Sequence, residues 1–358
     1  MNNLDDIAAI KKLDPVNVIG SINLLGEQCG QVWNEVLNMS FGPAYRQAKN
    51  IVFSGMGGSS LGAYVIKSLY GLEMSVPFEI VNDYHLPRYV DNKTLVLLGT
   101  YSGTTEETLS CADEALQKRA MITGFTVGSN LGEFFSKNKI SYFHINPTYN
   151  PSNQPRLGTG YTMFSQVAIL NVLGYLTISQ TDVEEMIGVL QIGKRKYGIE
   201  TKSDKNEAKQ LAKELVDCIP IIVTAEFLTY VGRVMRNQIN ECAKSFAAYH
   251  EIPELNHHLM EGLTNPKINK DILRFLFYST SLYSERIRKR VEITKKVVEK
   301  QGIPFFEFIP QAKSKLAQAF ECIQFGAYTN YYMAMHYGVD PSKIPWVDAF
   351  KAELARLS

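Results

Sequence analysis

The sequence predicts an α/β protein with two doubly wound parallel sheets, preceded by an N-terminal helical segment. Three observations carry this reading. From residue 50 onward, short β-rich runs alternate with helical stretches, the pattern of parallel strands joined by crossover helices. The alternation pauses in a polar, lysine-rich stretch at 194–206 and then resumes, so two units of similar order follow one another. The first forty residues hold no β-rich run; Cys29, Val32, Trp33, Val36 and Leu37 recur there at helical spacing, so this piece packs against a larger body. The 358 residues thus divide into a helical segment 1–40, a first domain 41–195 and a second domain 206–358. That agrees with a prior of roughly 150 residues per domain.

In chain order, Ile51–Phe53 is the first strand and runs through a glycine-rich turn into a helix ending near Leu69. Phe78–Val81, Thr94–Leu98, Thr123–Val127 and Tyr142–Ile145 complete the first set of strands. Segment 151–160, PSNQPRLGTG, breaks either ladder with its prolines and glycines. A helix follows from about Tyr161, and another starts at Thr181, where Thr181 and Glu184 stand at capping-box spacing. Ile219–Thr224, Ser245–Tyr249, Ile272–Tyr278 and Ile303–Phe308 are the strands of the second unit, and the last fifty residues are mainly helical. Arg286–Lys300 is basic, but Glu292 and Glu299 interrupt it, which reads as a solvated helix face rather than an anion site.

Composition narrows the function. Hydrophobic residues make up 45% and charged residues 20%, the mix of a soluble globular protein. Lys plus Arg number 37 against 36 Asp plus Glu, too even for a general nucleic-acid binder. The longest apolar runs, such as Cys218–Val223, fall far short of the ~20 residues of a membrane span. Met1–Ile10 has no positive leader before an apolar stretch. Cys29, Cys111, Cys218, Cys242 and Cys322 are scattered without a Cys-x-x-Cys pair, which fits a reducing interior and argues against structural zinc or a disulfide framework. The expectation is a cytoplasmic protein with no membrane or nucleic-acid partner and no metal or other cofactor.

Two loops carry the chemistry. In IVFSGMGGSSLGAYVIKSL, 51–69, a strand enters Gly55–Ser60 and leaves as a helix. Glycines let the backbone approach a ligand, and the helix N-terminus offers free N–H groups to an anion. The run lacks the G-x-G-x-x-G of dinucleotide folds and the Gly-Lys-Ser/Thr of P-loops; a bare strand-to-helix turn is the alternative. VLLGTYSGTTEETL, 96–109, is of the same kind, with Thr100, Ser102, Thr104 and Thr105 ahead of a helix opened by Glu106 and Glu107. Plain N-capping explains one hydroxyl, not four. Two such loops at the carboxyl ends of strands point to a small phosphorylated ligand.

The run SGMGGSS followed by TYSGTTEET resembles the sugar isomerase (SIS) domain. The chain resembles more closely the bifunctional phosphoglucose/phosphomannose isomerase family. Pro155-Arg156, Asn240-Glu241, Pro253–His257, Asp340-Pro341 and Lys351 extend the likeness, in order, from about residue 51 to 354. Ser60, Thr104 and His258–Met260 depart from the usual pattern, which bears on sugar preference more than on reaction type.

The resemblance implies two SIS domains and an aldose–ketose isomerase of carbohydrate metabolism. The activity it implies is interconversion of glucose 6-phosphate, and mannose 6-phosphate, with fructose 6-phosphate through a cis-enediolate, without a cofactor. It implies phosphate contacts from Gly57, Gly58, Ser59, Thr100, Ser102 and Thr105. It implies Glu241 as the base, His257 and Lys351 as the groups that assist ring opening, and Arg156 as the one that steadies the enediolate. It also implies a homodimer in which His257 reaches the partner's site. Taken without the resemblance, Glu241 sits at the edge of an apolar stripe (Val231, Val234, Met235, Ile239), where partial desolvation raises its pKa, or else is a surface glutamate beside Lys244. His257 is a loop histidine and Lys351 one charge on a solvated helix; Arg156, in a Pro/Gly loop, has little structural work to do. The rival readings are a non-catalytic sugar-phosphate sensor, for which no basic recognition helix is evident, and an amino-sugar phosphate isomerase.

Overall fold

The computed structural model describes residues 3–357. Three helices come first, α1 (Ile7–Leu13), α2 (Val18–Asn23) and α3 (Leu25–Val36). The buried Asp14 carboxylate starts α2 by accepting the N–H groups of Val18 and Ile19 at 2.7 and 2.9 Å, and it also accepts the Tyr331 hydroxyl at 3.0 Å. The amphipathic piece is α3: Cys29, Val32, Trp33 and Val36 are buried, whereas Leu37 lies past its end and is exposed.

The first sheet holds β1 (Asn50–Gly55), β2 (Phe78–Val81), β3 (Thr94–Gly99), β4 (Met121–Thr126) and β5 (Phe143–His144), all parallel in the order β2-β1-β3-β4-β5. Its crossovers are α4 (Gly57–Tyr70), α5 (Glu106–Gln117) and α6 (Ser129–Lys137). Side chains alternate between two apolar layers. Ile51, Phe53, Leu95 and Leu97 join α3, α4 and α7 (Thr159–Val172) on one face. Val52, Val96 and Leu98 meet Cys111 and Ala112 of α5 and Leu131 and Phe135 of α6 on the other. With helices on both faces, β3 is buried along its whole length and reads as an unbroken apolar run.

After α8 (Gln180–Tyr197) and α9 (Glu207–Leu215), a second parallel sheet follows: β6 (Ile219–Ala225), β7 (Ala248–Ile252), β8 (Leu273–Tyr278) and β9 (Phe305–Phe308), in the order β7-β6-β8-β9. Its helices are α10 (Thr229–Gln238), α11 (Leu259–Gly262), α12 (Asn269–Ile272), α13 (Glu285–Lys300), α14 (Lys315–Tyr337) and α15 (Pro345–Leu357). One apolar cluster runs from α3 and β1 through α7 and α14 into β6 and β8. Among the described residues no helix is long and apolar enough to cross a membrane.

Several local expectations need correction. The capping box of α8 is Ser179 with Asp182, not Thr181 with Glu184, and α7 begins at Thr159. Within the polar stretch 194–206, α8 continues to Tyr197, and the buried Asn206 caps α9 through the N–H groups of Ala208 and Lys209. The strand expected at Ser245–Tyr249 starts at Ala248, because Ala247 N–H is still held by Asn240 Oδ1 as the chain leaves the preceding helix. On α13, Arg286, Arg288 and Lys289 are exposed as a solvated face requires. Lys295 is the exception, buried between Glu292 at 2.6 Å and Glu307 at 2.7 Å.

Candidate active site

Both loops open helices that lack a side-chain cap. Gly57 starts α4 with φ +50°, and neither α4 nor α5 has a side chain bonded to its first N–H groups. The hydroxyls of the second loop therefore do not do the capping that a structural reading asks of them. They face one another instead: Thr100 Oγ1 lies 2.7 Å from Thr105 Oγ1 and 3.4 Å from Ser102 Oγ, and Ser102 Oγ lies 3.1 Å from Thr104 Oγ1. Gly103 allows this fold-back. Its φ is +77°, and a Cβ there would sit 2.0 Å from the Gly128 carbonyl. Ser59 joins the two loops, its hydroxyl accepting Tyr101 N–H at 3.0 Å. Hydroxyls gathered between two uncapped helix starts suit an anion. Ser60, at one point of departure, is buried and donates to the Gly57 carbonyl at 2.9 Å.

Arg156 is delivered by a loop that α3 and β3's loop hold rigid. The buried Gln28 directs its amide nitrogen at the carbonyls of Ser21, Tyr149 and Leu157 (3.0–3.2 Å), and its oxygen accepts Gly160 N–H at 2.9 Å. Asn150 donates to the Tyr101 hydroxyl at 2.9 Å and the Gln154 carbonyl at 3.0 Å. Held so, Arg156 Nη2 donates to the carbonyls of Pro341 and Ser342, and Nη1 to Gln154 Oε1 at 3.3 Å. Its Nε is buried with no partner among the described residues. A buried N–H left unmatched fits a position that a ligand oxygen fills.

Glu241 sits in a π-helical turn, Ile239–Ala243, that extends α10. Such turns widen a helix locally and recur at functional sites. Lys244 ends the turn in the left-handed region at φ +54°. Gly58, Leu61, Arg156, Gln238, Glu241 and Asn330 line one cleft, so the first loop, the Arg156 loop and the π turn meet there. Burial holds the Glu241 carboxyl above its ordinary range, while the charges of Arg156, Lys351 and Lys244 pull it back. A carboxylate tuned in this way suits a general base.

Lys244 Nζ donates to the carbonyls of Cys242 at 2.9 Å and Asp340 at 2.7 Å. Together with Arg156 it grips three successive carbonyls, 340 to 342, just before α15 and Lys351. Lys351 is exposed on α15, and its charge reaches Glu241. Sequence reasoning missed both the grip and the π turn, since a lysine three residues after a helix glutamate looks like an ordinary surface pair. Because Lys244 helps lower the Glu241 pKa, Lys244→Met should raise it and move the acid limb of the kcat/KM pH profile to higher pH. An unmoved limb removes Lys244 from the tuning of the base.

His257 stands apart. It ends the short turn Glu254–His257 beyond β7, is exposed, and does not line the cleft. Its neighbour His258 faces His250 across 6.1 Å, and Met260 Sδ accepts from Asn256 at 3.8 Å, so the departing residues serve this corner. Among the described residues no cluster of three or more His, Cys, Asp or Glu side chains is arranged to hold a metal ion.

Residues 204–354 match the family described as bacterial phospho-glucose isomerase C-terminal SIS domain. The chain is 31% identical over 339 residues to a bifunctional phosphoglucose/phosphomannose isomerase of Caldicellulosiruptor bescii, covering 94% of this chain and 98% of that protein. It is 29% identical to the protein of the same description from Aquifex aeolicus, over 86% of this chain and 91% of the other. Among solved structures, a hypothetical protein from Thermus thermophilus superposes with a TM-score of 0.75 at 16% identity, over 98% of this chain and 93% of that one, and so shares the fold.

Proposed function

Because the chain belongs to the bifunctional phosphoglucose/phosphomannose isomerase family, we propose that it interconverts fructose 6-phosphate with glucose 6-phosphate and mannose 6-phosphate. The observation that carries the reading is the shared cleft: Gly58 and Arg156 from the first half of the chain line it with Glu241 from the second. Ser59, Thr100, Ser102, Thr105 and the starts of α4 and α5 hold the substrate phosphate. Its binding energy sets C1 and C2 against Glu241. Lys351 and His257 move the protons that open the sugar ring. Glu241 then takes the proton from C2 of the open aldose, a cis-enediolate forms, and the proton returns at C1. Arg156 offsets the charge that develops on the enediolate oxygens, with its unmatched Nε–H available for that contact. A coupled assay with fructose 6-phosphate tests the reading; a folded protein that yields neither aldose phosphate overturns it.

The two halves are read as two SIS domains, 41–195 and 206–358, a division supported by the repeated strand order of the two sheets. The site is read as completed by a second copy. His257 is exposed and lies away from the cleft of its own chain, and α15 turns Trp346 and Phe350 outward at 85% and 66% exposure. A partner that covers α15 and lends His257 explains both. Mixing the two singly inactive variants Glu241→Gln and His257→Ala should then restore part of the turnover through hybrid dimers that hold one intact site. No recovery after subunit exchange counts against a shared site. A cytoplasmic setting fits the free cysteines.

A further inference from the structure

Gln166 of α7 is fully buried, one helical turn on from Thr162 and Met163, which line the cleft. Its amide nitrogen donates to the Ser59 carbonyl at 3.0 Å and to the Thr162 carbonyl at 2.8 Å. The reverse orientation would set the amide oxygen against two carbonyl oxygens, so the nitrogen is fixed on this side. Gly62 makes the room. A Cβ there would lie 2.5 Å from Gln166 Nε2 and 2.7 Å from Met163 Cα, so α4 approaches α7 this closely only with glycine at 62.

Neither carbonyl needs this donor. Ser59 stands in the first turn of α4 and Thr162 in the first turn of α7, where each carbonyl already takes the N–H of the residue four places on. Gln166 Oε1, meanwhile, is buried with no partner among the described residues. A buried acceptor left unmatched weakens a fold, and a methionine would fill a similar space without one. For stability alone the amide is the poorer choice. What it does is join two parts of the site. Ser59 is fastened at its hydroxyl to Tyr101 N–H, at 3.0 Å, and at its carbonyl to Gln166. The first turn of α7 is itself tied to the arginine loop: Thr159 Oγ1 donates to the Arg156 carbonyl at 3.1 Å, and Thr162 Oγ1 to the Gly158 carbonyl at 3.2 Å.

We infer that Gln166 is a positioning residue for phosphate binding. Its amide holds Ser59 where the hydroxyl meets the substrate phosphate, and anchors that grip to the same helix as the Arg156 loop. The fold is no more stable for it. The inference rests on reading Ser59 as a phosphate contact.

The test is a double-mutant cycle on the full-length protein: wild type, Gln166→Met, Ser59→Ala and the two together, with Gln166→Leu as a second apolar replacement. Three quantities are read: Tm, the Kd of inorganic phosphate, and kcat and KM with fructose 6-phosphate. Gln166→Met should melt at or above the wild-type Tm. Its KM and its phosphate Kd should rise together by about tenfold, as when a hydrogen bond to an anion is loosened. Its kcat should stay within about twofold, the pattern of weakened uniform binding. Added to Ser59→Ala, the same change should raise KM by less than about twofold, because both act through one contact. Unchanged KM and Kd in Gln166→Met overturn the proposal, as does a Tm below that of wild type. A full second tenfold on top of Ser59→Ala overturns it too, since Gln166 then acts elsewhere. So does failure of both apolar variants to fold, which makes the amide structural. Failure of the underlying phosphate reading looks different: Ser59→Ala alone then keeps the wild-type KM and Kd.

Discussion

Glu241→Gln should lose about 10²- to 10⁴-fold in turnover, the usual contribution of a positioned general base, while keeping its affinity for a phosphosugar inhibitor. Glutamine fills the same place in the π turn but cannot accept the C2 proton. Solvent exchange must fall in parallel. Wild type in deuterated water should place deuterium at C1 of fructose 6-phosphate and at C2 of the aldose formed, and Glu241→Gln should do neither at a comparable rate. Equal turnover in the two proteins would falsify the assignment of the base. The same variant should also gain stability. Burial raises the Glu241 pKa above its ordinary 4.5 in the folded chain, so between the unfolded and folded values the native state binds more protons, and stability falls as pH rises through that window. Glutamine removes this penalty. At pH 8 the Tm of Glu241→Gln should therefore exceed that of wild type, and the gap should close near pH 4. A lower Tm at pH 8 argues against a desolvated carboxylate.

Arg156→Lys carries the second large effect, a kcat lower by about 10²- to 10³-fold, as when a donor to developing negative charge is removed. Lysine keeps the positive charge near Glu241 but not the planar fork that reaches the carbonyls of Pro341 and Ser342. The acid limb of the pH profile should thus stay in place while kcat drops, and KM should change little because the hydroxyl loop is untouched. A shifted limb with normal kcat points to a purely electrostatic role.

Much of the architecture was legible because it is local. Ile51–Phe53 and Thr94–Leu98 announced central strands by unbroken apolar runs, and the glycines and hydroxyls after them marked the loops. Glu241 could be placed at the edge of the Val231–Ile239 stripe by counting residues. The π turn could not, since inserting one extra residue into a helix leaves no compositional trace. The grip of Lys244 and Arg156 on the 340–342 carbonyls depends on backbone atoms far apart in sequence, and carbonyls carry no residue identity to read.

Gln28 bears on how this chain can be taken apart. Sequence divides the protein at residue 40, as if the opening helices were an appendage to a self-sufficient catalytic half. Yet Gln28, on α3, fastens the loop that presents Arg156, at both Leu157 and Gly160. The opening segment therefore works as a jig for the reaction chemistry. Modular shuffling that exchanged residues 41–195 between relatives and left the first 40 residues behind would carry over the phosphate loops and leave the arginine without its clamp. The unit of inheritance for this site is larger than the sheet on which it sits.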